Sequence, residues 1–309
     1  MTATTDHPTI ADLPKVDVSD IEFHADTLDI QAAAKCYREH GCFVVRGLTK
    51  AYADDIRDDI YASMKEAISM LDRATPNPNG WSTPDGTLFI KAPEGFERDK
   101  QVMITSCRYT TSAAFLRSAM DAKLGDLAEA VLGPDVELFM DGQCLCKEPC
   151  GGHPKMLHQD ASYFEHKFDG PMAVLSYGVP TDLERGALHV VPGSHKLGML
   201  EHIDTESHLG LPLDRWPWES ATAIEGEPGD AIFFHSKTIH GSKPNYSDGP
   251  RPVFIHRYRA ANDYVVIHAS NTAARAEAEK AAAEAKKENQ QGFMIRGRRR
   301  HDEAAEAKG

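Results

Sequence analysis

Residues 229–254 read GDAIFFHSKTIHGSKPNYSDGPRPVF and combine turn residues with short apolar runs. Gly229-Asp230 is a turn signal, AIFF is a strand candidate, and a second strand candidate begins near Arg251 after another cluster of turn residues. Short strands separated by turns are typical of β-sandwiches and jelly rolls. This stretch therefore predicts strands of such a sheet.

The same pattern of short apolar runs separated by turn residues extends over residues 136–268, whereas the preceding part of the chain shows helical periodicity. A short helix is predicted over 30–40 because a glycine follows it in the position that ends helices. Apolar residues spaced by three or four over 56–71 predict a second helix, and 112–132 a third. Helices followed by many short strands predict an α+β protein with a β-sandwich or jelly-roll core.

Four segments lie outside this regular pattern. Residues 1–20 are polar and predict a loosely held arm, and residues 76–99 are dense in turn residues and predict a long loop. Residues 204–220 show helical periodicity and look like an insertion between strands. Residues 272–309 interleave alanine with charged residues, which predicts a solvated, charged helical tail with an exposed basic run. We therefore expect one globular domain over residues 21–271, between the arm and the tail.

The composition narrows the class of protein. The chain has 309 residues, with 34 Lys and Arg against 47 Asp and Glu, and a net charge of −13. This acidity argues against a nucleic-acid partner, because phosphate binding needs a basic surface. No apolar run approaches the roughly 18 residues of a membrane span, and the start lacks a secretion signal. We expect a cytoplasmic protein whose six cysteines are structural thiols rather than a zinc cluster.

Residues 157–160, Leu-His-Gln-Asp, carry the first chemical signal. On a strand, His158 and Asp160 would point to the same face because side chains alternate with a period of two. A neutral imidazole and a carboxylate on one face can both bind a divalent metal ion. A His-x-Asp pair arises easily by chance in a chain with fifteen histidines. A third ligand is therefore needed to define a site.

His240, in the stretch quoted above, supplies that third ligand. A jelly roll brings sequence-distant strands together at its open end, so His240 can join His158 and Asp160 in a two-histidine, one-carboxylate triad. His235 is a competing candidate, but His240 precedes Gly-Ser and stands eleven residues before Arg251. Such a triad leaves three positions of an octahedral Fe(II) open, two for a 2-oxo acid and one for O₂.

Arg251 suits the recognition of that 2-oxo acid. A guanidinium in this strand can form paired hydrogen bonds with the far carboxylate of 2-oxoglutarate. Arg257 and Arg259 are competing candidates in the same strand. These two share one strand face, and we expect them to pair with acids at the surface.

Together these motifs resemble the phytanoyl-CoA dioxygenase family, which includes ectoine hydroxylase and many natural-product hydroxylases. The resemblance rests on HQD at 158–160, GD-x-x-FF at 229–234, HGS-x-x-N at 240–245 and the late arginine. YREHGCFVVRGLTK, ALHVVPGSHK and Lys147 are also similar to that family, so the match covers about residues 30–268. The resemblance implies a double-stranded β-helix, the cupin-like jelly roll, with Fe(II), 2-oxoglutarate and O₂.

Carried over residue by residue, the resemblance implies two groups of site residues. The metal ligands are His158, Asp160 and His240, and the co-substrate contacts are Arg251, Ser242, Gln159 and Gln143. The Ser242 hydroxyl matches a position that touches the same carboxylate as the arginine. Related halogenases replace the aspartate by a small residue, so Asp160 implies hydroxylation or a related oxidation.

The implied activity is hydroxylation of an unactivated C–H bond of a small-molecule substrate, with release of succinate and CO₂. The alternative from another class is a non-catalytic or non-oxidative metal-binding protein of the cupin type. A non-catalytic protein would need a broken triad or no arginine, and cupin enzymes commonly begin their ligand set with His-x-His. The sequence shows an intact His-x-Asp start, a distal His-Gly-Ser and the arginine instead.

Overall fold

A computed structural model describes residues 13–152, 154–205, 208–266 and 291–300. In this part of the chain the α-helices are α1 (Ile30–His40), α2 (Lys50–Ser69), α3 (Ala113–Ala119) and α4 (Ala122–Leu132). The strands lie mainly after them, as an α+β protein requires. None of the described helices has the length and apolarity that crossing a bilayer requires.

Helix boundaries follow from local capping. The Asp29 carboxylate accepts hydrogen bonds from two backbone N–H groups at the start of α1, and Gly41 ends that helix with a φ of 70°. The single helix predicted over 112–132 is two helices. Asp121 interrupts it, because its carboxylate caps the backbone N–H groups of Lys123 and Leu124 and so starts α4 anew.

The strands number eighteen in the described residues, and their bounds fix the topology below. In chain order they are β1 (Glu22–His24), β2 (Cys42–Arg46), β3 (Thr75–Asn77), β4 (Gly80–Ser82), β5 (Leu88–Lys91), β6 (Lys100–Ile104), β7 (Val136–Leu138), β8 (Gln143–Lys147), β9 (Lys155–His158), β10 (Met172–Tyr177), β11 (Leu188–Val190), β12 (Ile203–Thr205), β13 (His208–Gly210), β14 (Thr222–Ile224), β15 (Ala231–His235), β16 (His240–Ser242), β17 (Arg251–Ala260) and β18 (Met294–Arg296).

Two sheets build the core. The larger sheet runs β1-β2-β15-β10-β17-β8-β6-β5-β4-β3, with β7 joining β17 to β18. The smaller sheet runs β14-β11-β16-β9, and its strands β9, β11 and β16 line one cavity together with β8, β10, β15 and β17 of the larger sheet. Sequence-distant strands therefore meet across a common interior, as in a jelly roll. The predicted α+β fold with a cupin-like jelly-roll core is confirmed.

Strand β17 shows how period-two alternation divides the interior. Its even-numbered residues face the helices: His256 Nε2 lies 2.9 Å from Ser118 Oγ, and the Tyr258 hydroxyl donates to the Ala119 carbonyl. Its odd-numbered residues from Arg251 to Arg257 line the cavity between the sheets. The strand is therefore buried on both faces, with a helix-packed core on one side and the candidate site on the other.

The prediction of a long loop over residues 76–99 is wrong. Strands β3, β4 and β5 form an antiparallel meander that extends the larger sheet through β6. The abundant turn residues are there because three short strands need tight connections, such as the two-residue turn between Asn77 and Gly80. Ile90 of β5 and Met103 of β6 line the cavity, so this segment belongs to its wall.

The helical structure that the periodicity over residues 204–220 indicates is also wrong. Strands β12 and β13 pair there as a hairpin. After it, Leu211 and Trp216 are buried in a small apolar cluster with Leu157, Val191 and Ile239. The apolar residues of the segment therefore pack against the back of the smaller sheet, and Trp216 has a packing role.

The prediction of a loosely held N-terminal arm is wrong for residues 13–20, the part of the arm that the structure describes. Val16 is 7% exposed and belongs to the main core, and its carbonyl accepts a hydrogen bond from the Thr222 hydroxyl at 3.0 Å. Residues 13–20 are therefore held against β14. The remaining residues of the arm, 1–12, lie outside the described residues.

The prediction of a solvated helical tail is wrong for residues 291–300. Strand β18 pairs with β7, Arg296 donates to Asp126 at 2.8 Å, and Arg299 forms an ion pair with the fully buried Glu137. The basic run is thus neutralised by acids of the domain, which sequence spacing alone does not reveal. Residues 272–290 and 301–309 lie outside the described residues.

Candidate metal centre

Two histidines meet on the smaller sheet. His158 ends β9 and His240 begins β16, and these strands pair so that the two residues are direct antiparallel partners. Their ring centroids are 4.3 Å apart, and both side chains are buried. Pairing across neighbouring strands thus brings together two residues that are far apart in sequence.

Asp160 lies beside the two histidines, but it is not on a strand as predicted. Strand β9 ends at His158, and Asp160 begins a 3₁₀ turn that runs to Ser162. The predicted reason, a shared strand face, is therefore wrong. The turn nevertheless places Asp160 Oδ1 3.5 Å from His158 Nε2 and 3.6 Å from His240 Nε2.

The hydrogen bonds of the imidazoles leave one ring nitrogen of each free for a ligand. His158 Nδ1 lies 2.7 Å from the Met156 carbonyl, and His240 Nδ1 lies 2.9 Å from the Thr238 carbonyl. Since a carbonyl oxygen only accepts, each Nδ1 donates, and each Nε2 presents its lone pair towards Asp160 Oδ1. This is the tautomer that metal-binding histidines adopt when a backbone carbonyl orients them.

The ionisation of the three groups also suits a metal ion. Burial, assisted by the neighbouring His240, lowers the pKa of His158 to about 3, and burial likewise lowers the pKa of His240. Burial alone would raise the pKa of Asp160, but the Arg257 guanidinium and the two histidines hold that pKa well below its usual range. The site therefore holds two neutral imidazoles and one carboxylate.

These three donors fit a divalent transition metal. One ligand atom from each of His158, Asp160 and His240 lies within 4.8 Å of the others, and no other group of three such residues is found in the described part of the chain. Two neutral nitrogens and one carboxylate oxygen form the set that non-haem Fe(II) takes with open positions. The six cysteines are free thiols, and none of them belongs to this group.

Arg251 lies in the same cavity as the triad. It is 3% exposed, and its Nε and Nη2 have no hydrogen-bond partner among the described residues. Its guanidinium lies 5.4 Å from the centre of the Tyr177 ring, and burial lowers its pKa. A buried guanidinium with unpaired nitrogens is unfavourable unless an anion binds it, so these atoms mark a position for a carboxylate.

Ser242 and Lys147 flank this arginine. Ser242 is buried and follows His240 by two residues on β16, which puts both on the cavity face. Lys147 is the direct partner of Arg251 across β8 and β17, and its Nζ donates to the Ser242 carbonyl at 2.8 Å. Burial and the adjacent Arg251 lower the pKa of Lys147. An anionic ligand beside this pair would offset the repulsion between the two basic groups and favour their charged forms.

The two predicted glutamines differ in position. Gln143 lines the cavity, and its Oε1 accepts a hydrogen bond from Arg257 at 3.1 Å. Gln159, between the end of β9 and the 3₁₀ turn, is not part of the cavity lining. Its amide donates to the carbonyls of Gly198 and Lys237 and accepts from the backbone N–H of Leu200, so it holds the surrounding loops in place.

Two of the competing candidates, His235 and Arg259, lie outside the triad and the cavity lining. His235 Nδ1 accepts from the backbone N–H of Lys237 and takes no part in the triad. Arg259 pairs with the buried Glu137. The expectation that Arg257 and Arg259 pair at the surface is wrong, because both are 5% exposed and face the interior.

Arg257 is a site residue that the sequence analysis places at the surface instead. It lines the cavity, and its Nη2 lies 3.3 Å from Asp160 Oδ2. The signal was present, since Arg251, Val253, Ile255 and Arg257 share one parity on a single strand. Once Arg251 was assigned to the cavity, alternation placed Arg257 there as well.

The chain is similar to known proteins over most of its length. The family model for phytanoyl-CoA dioxygenase (PhyH) matches residues 37–253. The 1-deoxypentalenic acid 11-beta-hydroxylase of Streptomyces exfoliatus is 33% identical over 235 residues, which cover 72% of this chain and 77% of that protein. A probable alpha-ketoglutarate-dependent hypophosphite dioxygenase of Stutzerimonas stutzeri is 27% identical over 156 residues, 48% of this chain and 54%, about half, of that protein.

A solved structure gives the same fold. The epimerase SnoN, in complex with Fe³⁺, alpha ketoglutarate and nogalamycin RO, superposes with a TM-score of 0.54 at 22% identity and covers 76% of this chain and 85% of its own. The family model alone spans well over half of the sequence and includes every residue of the triad and Arg251. The chain therefore belongs to the phytanoyl-CoA dioxygenase family.

Proposed function

We propose that this chain is an Fe(II)- and 2-oxoglutarate-dependent dioxygenase that hydroxylates an unactivated C–H bond of a small-molecule substrate. The observation that carries the proposal is the buried guanidinium of Arg251, whose Nε and Nη2 have no hydrogen-bond partner among the described residues, in the same cavity as the triad. Support also comes from relatives named as a hydroxylase and as an alpha-ketoglutarate-dependent dioxygenase, and from a structural neighbour holding iron and alpha ketoglutarate, which is 2-oxoglutarate.

In this proposal His158, Asp160 and His240 hold the iron. Iron(II) and 2-oxoglutarate, when bound, together supply O₂-activating chemistry that yields succinate and CO₂ and oxidises the substrate. The protein contributes neutral imidazoles whose orientation is fixed by the carbonyls of Met156 and Thr238. It also contributes one carboxylate that stays ionised, since its pKa is held well below the usual range.

Arg251 and Ser242 would bind and orient the far carboxylate of 2-oxoglutarate. Lys147 holds the Ser242 backbone and adds positive charge beside Arg251. Basic side chains outnumber acidic ones in the cavity lining. They are Lys147, Lys155, Arg251 and Arg257, against Glu148 and Asp160. A dianionic co-substrate is therefore attracted locally, although the chain as a whole carries −13.

The remaining wall of the cavity is apolar and would enclose an organic substrate. It is formed by Ile90, Val102, Met103, Leu145, Leu175, Leu188, Phe234, Val253 and Ile255. Apolar walls exclude water from the reacting groups and strengthen the electrostatic contacts within the site. We also propose that the enzyme acts in the cytoplasm without a nucleic-acid partner, because its cysteines are free thiols and its net charge is acidic.

Succinate formation tests the proposal. The purified chain is incubated in air with Fe(II), 2-oxoglutarate and a panel of small organic metabolites, and succinate is quantified by mass spectrometry. We expect a slow background turnover that at least one compound stimulates, with a product heavier by one oxygen atom. A matched incubation without O₂ serves as the control. Absence of succinate above that control, with every compound and with Fe(II) bound, would favour the non-catalytic cupin-type alternative.

A further inference from the structure

The two oxygens of the Asp160 carboxylate have different surroundings. Oδ1 faces Nε2 of both histidines, at 3.5 and 3.6 Å, whereas Oδ2 faces Arg257 Nη2 at 3.3 Å. The arginine belongs to β17 of the larger sheet, while the histidines belong to the smaller one. One carboxylate thus spans the two sheets, with one oxygen for the metal position and one for the guanidinium.

The Asp160 side chain is oriented by this contact with the Arg257 guanidinium. The residue lies in a 3₁₀ turn beyond the end of β9, so no strand pleat fixes the direction of its side chain. Arg257 is itself held firmly. It is 5% exposed, its Nη2 also donates to Gln143 Oε1 at 3.1 Å, and its guanidinium lies 5.6 Å from the centre of the Phe164 ring.

We propose that Arg257 is a positioning residue that holds Asp160 as a one-oxygen metal ligand. By engaging Oδ2, it keeps that oxygen from the metal, so that the carboxylate occupies one coordination position instead of two. Three positions then stay open for a bidentate 2-oxo acid and O₂. This inference rests on the proposed function, and it gives the buried arginine a role that is separate from co-substrate binding by Arg251.

Arg259 provides a matched control. It lies two residues further along β17, on the same face and equally buried, but its guanidinium pairs with Glu137 and not with a member of the triad. Arg257→Lys and Arg259→Lys therefore make the same chemical change in the same strand. If Arg257 acts through Asp160, only the first substitution alters the metal site.

Metal affinity without co-substrate tests the inference. Co(II) is titrated into the metal-free chain by calorimetry, and the visible spectrum of the bound Co(II) reports its coordination number. We expect Arg257→Met to weaken Co(II) binding about 10- to 100-fold and to change the spectrum, and Arg257→Lys to give an intermediate loss. Arg259→Lys is expected to bind Co(II) like the unmodified chain. Thermal unfolding checks that each variant is folded. If Arg257→Met does not fold, the Co(II) affinity and spectrum of Arg257→Lys test the inference.

A double-mutant cycle separates positioning from a general effect on folding. In an Asp160→Ala background, Arg257→Met should cause no further loss of Co(II) affinity, because the carboxylate that it orients is gone. An equal loss in both backgrounds, or unchanged Co(II) binding and spectrum in both Arg257 variants, would overturn the inference. So would a loss confined to 2-oxoglutarate affinity. Co(II) binding that His240→Ala leaves intact would instead contradict the proposed function.

Discussion

Asp160→Ala is expected to lower 2-oxoglutarate turnover by at least about 10³-fold. A bound metal contributes several kcal/mol to catalysis, and about 1.4 kcal/mol corresponds to a tenfold change in rate. Asp160 supplies the one anionic ligand of the triad, and its removal also leaves the buried Arg257 guanidinium without its carboxylate. Iron affinity and succinate formation should therefore fall together.

The measurement is succinate release at saturating Fe(II) and 2-oxoglutarate. Asp248→Ala is a suitable control, because that carboxylate is 98% exposed and pairs at the surface with Arg185. It should leave turnover unchanged. If Asp160→Ala retained the turnover of the unmodified chain, the triad would not be the metal site.

Arg251→Met is expected to weaken 2-oxoglutarate binding while sparing the metal. Removing one partner of a buried charge pair costs about 2–5 kcal/mol, which corresponds to roughly 30-fold to several-thousand-fold in affinity. Without co-substrate the same variant should unfold at an unchanged or higher temperature, because the substitution removes a buried guanidinium with unpaired nitrogens. The structure thus predicts opposite effects on binding and on stability.

A ligand that lacks the far carboxylate provides the matched control for this prediction. Binding of 2-oxobutanoate, measured by calorimetry in the presence of Co(II), should be the same in the unmodified chain and in Arg251→Met. The advantage of 2-oxoglutarate over 2-oxobutanoate should disappear in the variant. Equal loss of affinity for both ligands would show that Arg251 supports the cavity without contacting that carboxylate.

The sequence predicted the parts of the site that depend on motif spacing. The motif spacing predicts four site residues, and the structure brings them to one cavity; these are His158, Asp160, His240 and Arg251. The geometric reason was partly wrong, because β9 ends at His158 and a 3₁₀ turn supplies the aspartate. Motifs specify which residues meet, whereas the ends of strands depend on tertiary packing.

The misses share a physical cause. The segment 76–99 was rich in turn residues because it contains several short strands, and turn density alone does not separate a meander from a loop. Arg257 and the basic residues of 291–300 were expected at the surface because charged side chains are seldom buried. Their partners, Asp160 and Glu137, come from distant parts of the chain, and local sequence does not indicate such pairs.

Net charge was equally uninformative about the site. The chain carries −13, yet the candidate co-substrate is a dianion. The structure resolves this conflict, because basic side chains outnumber acidic ones along the cavity. Within a low-dielectric interior these neighbouring charges outweigh the screened charges of the distant surface.

Anaerobic titration of the Fe(II)-loaded chain with 2-oxoglutarate tests the central claim most directly. Chelation of Fe(II) by a 2-oxo acid gives a visible metal-to-ligand charge-transfer band, whose growth reports binding of the co-substrate at the metal. We predict a saturable band in the unmodified chain, its loss in His240→Ala, and a much higher 2-oxoglutarate requirement in Arg251→Met. Absence of the band in the unmodified chain with Fe(II) bound, or a band that His240→Ala leaves unchanged, would contradict the assignment of this cavity.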